Sequence, residues 1–244
     1  MSLITQSIDF QVGNENFTAY LAYQRNLSAP QPGVIVAHEW WGQDDYIRGR
    51  VNDLAEQGFV ALALDMYGSG ITADNPDQAG QLMTAVIDTK QAIEQRFSAA
   101  MDILKQQSQV DPDKILACGY CFGGAVVLNM ARAGKPLQAI ASFHGLLETD
   151  SPIQKNTFKG QILAFTGAED PMVNTDIVNT FKQEMTTAQV DHELISYPNV
   201  VHGFTNPASD MRKEKFSVDA LGYNAHADQD SHNKMFDLFK SFLN

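Results

Sequence analysis

Apolar residues follow two rhythms along this chain. Short apolar runs at 33–37, 60–64, 114–119, 139–143 and 161–166, and a more broken one at 192–197, alternate with longer stretches at 44–57, 77–107, 122–133, 175–188 and 225–243. In the longer stretches apolar positions recur every three to four residues. An unbroken run marks a strand buried on both faces, and the wider spacing places one apolar stripe on a helix. Their alternation predicts a mostly parallel central sheet with helices on both faces. Ahead of it, residues 8–12 and 17–22 alternate around Gly13-Asn14-Glu15-Asn16 and predict an antiparallel hairpin at the N-terminal edge.

With 244 residues and no shift in composition, a single α/β domain over 1–244 is the economical reading. A formal net charge of -12 opposes binding to nucleic acid or to an anionic membrane, since both would be repelled over most of the surface. Small-molecule partners are expected, with the chain a monomer or weak homodimer. The first residues lack a basic segment followed by an apolar core, and no apolar run approaches the roughly 20 residues that span a bilayer. A cytoplasmic location is expected. Two cysteines, Cys118 and Cys121, form no disulfide framework, so reduced thiols are expected. No metal or cofactor is implied: Gly68-Ser69-Gly70 follows a strand but lacks the third glycine and the lysine of phosphate-binding loops.

In such a sheet the reactive site lies beyond the carboxyl ends of the strands. The residues there are His38-Glu39-Trp40-Trp41-Gly42, Asp65-Met66-Tyr67, Cys121, His144-Gly145, Gly167-Ala168-Glu169-Asp170-Pro171 and His202-Gly203-Phe204. Cys121 stands between Gly119 and Gly123, where an apolar strand turns abruptly into a helix. Small residues two before and two after a nucleophile let strand and helix meet at such an elbow. The amides that open the following helix favour negative charge on a thiolate or an oxyanion. The order Cys121, Asp170, His202 is the nucleophile, acid, histidine order of an α/β-hydrolase triad.

Gly-Tyr-Cys121-Phe-Gly-Gly, His-Glu39-Trp-Trp-Gly, Gly-Ala-Glu-Asp170-Pro and Val-His202-Gly-Phe, taken together and in this order, resemble the dienelactone hydrolase family from about Gly33 to the last helix. The resemblance implies an α/β-hydrolase fold and cysteine-dependent hydrolysis of a carboxylic ester or lactone through a thioester. Cys121 is then the nucleophile, His202 the base and Asp170 the group that orients it, with the backbone N–H groups of Phe122 and Trp40 as the oxyanion hole. Glu39 corresponds to the family's glutamate that takes the thiol proton when substrate binds. Trp41, Tyr67, His144 and Phe204 are candidate substrate-binding residues. Family members hold a substrate carboxylate with arginines, one of them soon after the histidine. Here Thr205-Asn206-Pro207 follows His202, the nearest later arginine is Arg212, and no arginine lies between Arg50 and Arg96. Poor activity on the anionic dienelactone is therefore expected, and a neutral or differently charged ester or lactone fits better.

Other readings stay open at this level. Asp170 before Pro171 also suits a helix N-cap, and Glu169 beside it is the alternative acid. His38 and His144 serve equally well as structural or pocket-wall residues, while His226 and His232 fall on an exposed-looking helix. Cys118-Gly-Tyr-Cys121 is formally a C-x-x-C pair and could serve a thiol-disulfide redox protein, although Cys118 lies inside an apolar strand. A hydrolase fold that only binds its ligand is the third alternative.

Overall fold

The computed structural model describes residues 2–89 and 91–243. Its internal contacts gather into two compact units, one running to Ala117 and including the stretch from Phe239, the other from Cys118 to Leu238. Strands are ordered β1 (Leu3–Val12), β2 (Glu15–Gln24), β4 (Val60–Leu64), β3 (Gln31–Ala37), β5 (Val110–Tyr120) in the first unit and β5, β6 (Ala139–Phe143), β7 (Gln161–Gly167), β8 (Asp191–Tyr197) in the second, with residues of β5 in both. The fold is of the mixed α/β class, with helices accompanying a mostly parallel sheet that has an antiparallel N-terminal edge.

In the first unit β1 (Leu3–Val12) and β2 (Glu15–Gln24) form the predicted hairpin, longer at both ends than the alternation suggested. Gly13 turns it at φ 60°. Strands β3 (Gln31–Ala37) and β4 (Val60–Leu64) pair in parallel and are buried throughout, as their unbroken apolar runs require. Between them α1 (Asp45–Glu56) is capped by Asp44, whose carboxylate accepts the Ile47 N–H at 3.2 Å. The helix expected over 77–107 is instead two, α2 (Pro76–Asp88) and α3 (Ala92–Lys105), with Gln91 left-handed at φ 64°. No glycine or proline marks that break. What places α3 is burial of Phe97, Ala100, Met101 and Leu104, together with Arg96. Arg96 donates to the Met66 carbonyl at 2.7 Å and to Glu15 at 2.8 Å, and its guanidinium lies over the Phe17 ring.

The second unit takes the end of β5, then α4 (Phe122–Arg132), β6 (Ala139–Phe143), β7 (Gln161–Gly167), α5 (Thr175–Ala188), β8 (Asp191–Tyr197), α6 (Ser209–Phe216) and α7 (Ala225–Lys240) as far as Leu238. Strand β7 pairs in parallel with β6 on one side and β8 on the other. Helix α6 escaped the pattern because Ser-Asp-Met-Arg-Lys-Glu-Lys-Phe has no apolar stripe. His232 on α7 is buried, contrary to the exposed position expected of it. Its Nε2 meets the Tyr120 hydroxyl at 2.8 Å, its Nδ1 meets Asp228, and its ring stacks on Phe143. Among the described residues no helix is long and apolar enough to cross a membrane, and no cluster of three or more histidine, cysteine or acidic residues could hold a metal ion.

Candidate active site

The elbow is built by backbone crowding. A Cβ on Gly119 would stand 2.1 Å from the Gly123 carbonyl oxygen, so only glycine lets β5 and α4 approach this closely. Between them Cys121 adopts φ 53° and ψ -113°, a conformation that side chains bearing a Cβ rarely take. Its backbone N–H is shared between the Phe143 carbonyl at 3.0 Å and His144 Nδ1 at 3.1 Å. Cys121 is partly accessible and outside any disulfide, whereas Cys118 is wholly buried within β5. Helix α4 begins at Phe122, so its opening amides lie at the positive end of the dipole beside the sulfur.

Asp170 follows β7 and His202 follows β8. Their loops are locked together: Ala168 N–H donates to the Tyr197 carbonyl at 2.8 Å, and Glu169 N–H to the Val200 carbonyl at 2.9 Å. A Cβ on Gly167 would sit 2.2 Å from that Val200 oxygen. Asp170 also accepts the Met172 N–H in a local turn, but its other oxygen meets His202 Nδ1 at 2.8 Å, with both side chains buried. The N-cap alternative is thereby set aside, since α5 is capped by Asn174. On its far side the His202 loop is tied to residues 218–224, through His202 N–H to the Ala220 carbonyl and Gly222 N–H to the His202 carbonyl.

His202 Nε2 is buried and makes no aligned hydrogen bond. Burial alone pulls the imidazole pKa down. The charge of an ionised Cys121, the hydrogen bond that Nδ1–H donates to Asp170 and a sulfur contact short of hydrogen-bond alignment outweigh it, and the pKa is pushed up to about 10.

In the first unit the loop after β3 carries Glu39, which is buried, the half-buried Trp40, and the buried Trp41. His38 fixes this loop. Its Nδ1–H donates to the Glu39 carbonyl and its Nε2 accepts the Met66 N–H at 3.1 Å, while burial keeps its pKa below the ordinary value. The Tyr67 hydroxyl donates to the Trp40 carbonyl at 2.9 Å, so it braces the loop. Asp65 accepts the N–H groups of Thr18, Tyr67, Gly68 and Gly70, and Ser69 N–H donates to the Asn16 carbonyl at 2.9 Å, so the Gly68-Ser69-Gly70 amides are all committed within the protein.

Two candidates for substrate contact are placed otherwise than expected. His144 and Phe204 are fully buried: the His144 ring bonds Thr205 and stands edge-on to His202 and Phe204, and Phe204 is also packed against Tyr197. Thr205 and Asn206, which occupy the stretch where the family carries an arginine, are also buried. The Asn206 side chain accepts the Ala208 N–H. Sequence reasoning missed the bracing roles of His144 and Thr205, because neither local pattern nor spacing reveals who meets whom across β6 and β8.

A strand-elbow-helix bearing the nucleophile candidate, with acid and histidine on the loops after later parallel strands, defines an α/β hydrolase. A sequence model of the dienelactone hydrolase family matches residues 17–243, and the chain belongs to that family of hydrolases acting on esters or lactones. It is 31% identical over 245 residues to Protein usf of Aquifex pyrophilus, covering 98% of this chain and 99% of that one. It is 30% identical to a Bradyrhizobium protein named probable 2-oxo-3-(5-oxofuran-2-ylidene)propanoate lactonase, over 81% of this chain and 82% of that one. A crystal structure of a dienelactone hydrolase-like promiscuous phosphotriesterase from metagenomic libraries superposes with a TM-score of 0.91 at 30% identity, covering 100% of both chains.

Proposed function

We propose that this protein hydrolyses carboxylic esters or lactones through a Cys121–His202–Asp170 triad, within one domain formed by both compact units. The observation that carries the reading is the buried 2.8 Å contact between Asp170 and His202, on an imidazole whose proton affinity is raised by Cys121. Family membership over residues 17–243, which runs through both units, supports the domain assignment.

In this mechanism the Cys121 sulfur bonds to the carbonyl carbon, and the negative charge that develops on oxygen is met by the Phe122 N–H and, following the family, the Trp40 N–H. The carbon–oxygen bond of the ester breaks and the leaving alkoxide takes a proton from the His202 imidazolium. That leaves a thioester on Cys121 and a neutral imidazole. His202 next removes a proton from water, the hydroxide attacks the thioester, and the acid departs as the thiolate is restored. Asp170 keeps the Nδ1 proton in place, so Nε2 faces the proton transfers throughout. Glu39, by its place in the family pattern, is the first acceptor of the thiol proton when the sulfur is ionised, and that proton passes on to His202 to form the imidazolium the leaving alkoxide draws on. Thr205 and Asn206, both buried, stand in the stretch where the family carries its arginine, and the preferred substrate is a neutral or differently charged ester or lactone.

The redox alternative needs an exposed partner thiol, and Cys118 is buried in mid-strand. The test is a panel of nitrophenyl esters and neutral lactones with purified protein. Cys121→Ala should lower kcat by roughly 10³-fold or more, whereas Cys118→Ser stays within a few-fold of the parent. An alkylator should inactivate the parent in step with modification of Cys121. A fully active Cys121→Ala enzyme would refute the mechanism.

A further inference from the structure

One residue outside the triad touches the Cys121 elbow, the His202 loop and the strand that leads to Asp170. His144 follows β6 with φ 40° and has no accessible surface. Its backbone N–H donates to the Phe165 carbonyl at 2.7 Å, on the strand that leads to Asp170. Its Nδ1 accepts the Cys121 N–H at 3.1 Å, and its Nε2 meets the Thr205 hydroxyl, three residues after His202, at 2.8 Å. Its ring stands edge-on to the His202 ring with centroids 5.1 Å apart. Behind it, Gly145 is pressed against the first turn of α4, where a Cβ would lie 2.6 Å from the Gly124 carbonyl carbon. The His144–Gly145 turn and the elbow therefore cannot shift independently.

We propose that His144 is a positioning residue, held as the neutral Nε2–H tautomer, that sets the Cys121 elbow and the His202 loop in register. The tautomer follows from its partners. An amide N–H can only donate, so Nδ1 carries a lone pair, and the ring proton resides on Nε2 and points to the Thr205 oxygen. The Cys121 amide is shared between the Phe143 carbonyl and His144 Nδ1, so His144 adds a second restraint on the strained peptide plane that aims the nucleophile. A displacement of about 1 Å between nucleophile and base is enough to cost on the order of 100-fold in rate. Thr205 completes the tie by carrying it into the histidine loop, in the stretch where the family uses an arginine for substrate. The inference rests on Cys121 being the nucleophile, and it concerns how that nucleophile is aimed.

The first measurement is independent of activity. Nitrogen-15 NMR of the imidazoles, in the parent and in Cys121→Ala, should show His144 protonated at Nε2 and bare at Nδ1. A His144 resonance protonated at Nδ1 would overturn the proposal. The second is kinetic, on a nitrophenyl ester, with folding of each variant checked by circular dichroism. His144→Phe should lower kcat by roughly 10- to 100-fold with KM within about 3-fold. His144→Asn keeps an acceptor for the Cys121 amide and suits the left-handed backbone, so its loss should be smaller. Thr205→Val should also lower kcat and Thr205→Ser should restore it. Parental kcat in His144→Phe, or equal losses in the two Thr205 variants, would sink the positioning role while an inactive Cys121→Ala left the nucleophile assignment standing. An active Cys121→Ala would instead remove the nucleophile and the proposal with it.

Discussion

His202 shows how opposed effects decide one residue's state. Burial favours the neutral ring, yet the Cys121 charge and the Asp170 hydrogen bond hold the proton on it up to about pH 10. Because this folded-state pKa lies above the ordinary 6.5, the group stabilises the fold fully below about pH 6.5 and loses that contribution as pH rises through about 10. Replacing Cys121 by alanine removes two of the influences that raise the pKa and leaves burial opposed by Asp170 alone. An NMR titration of Cys121→Ala should therefore place the His202 pKa clearly below that of the parent; an unmoved value would contradict the coupling. The order of Cys121, Asp170 and His202 along the chain was legible because each follows its own strand. His144 was not legible in the same way, since a lone histidine after a strand can equally be a pocket wall, and only its partners separate the two.

Between elements, the second unit depends on a buried polar node. Arg132 at the end of α4 donates to both oxygens of Glu184 on α5 at 2.9 and 2.8 Å and to the Leu147 carbonyl at 2.7 Å. Glu184 also accepts the Ile153 N–H, so two helices and the connection after β6 share one ion pair. The two side chains are 4% and 8% exposed, little enough that solvent screens the pair weakly. Glu184→Ala leaves a buried guanidinium without its carboxylate and should destabilise the protein by about 3–5 kcal/mol in urea denaturation, while Glu184→Gln, which keeps a hydrogen-bonding partner, costs less. A parental denaturation midpoint for Glu184→Ala would show the node to be dispensable. Periodicity revealed α4 and α5 but not the pairing of Arg132 with Glu184, 52 residues apart. It also missed the break between α2 and α3, because an apolar stripe can continue in sequence while the chain turns to bury it elsewhere.

At the scale of the whole molecule, a net charge of -12 repels anionic substrates over distances set by ionic strength, about 10 Å at 0.1 M salt. For a carboxylate-bearing lactone kcat/KM should rise a few-fold from low to high salt, whereas a neutral ester should show little change. A salt-independent anionic lactone would indicate a local cationic site that offsets the surface charge. The alternation of unbroken apolar runs with helical stretches was sufficient to determine the fold class, because burial on two faces and burial on one face leave different spacings in any chain. The glycines around Cys121 and the residues following each strand pointed to the proposed chemistry in the same way, since only small residues admit the elbow and only strand ends reach the edge where such sites lie. The tertiary structure alone decided which polar groups neutralise one another: Asp170 on His202, Thr205 on His144, Glu184 on Arg132. Those pairings join residues distant along the chain through directional bonds about 3 Å long, and no local pattern records a contact whose two halves lie dozens of residues apart.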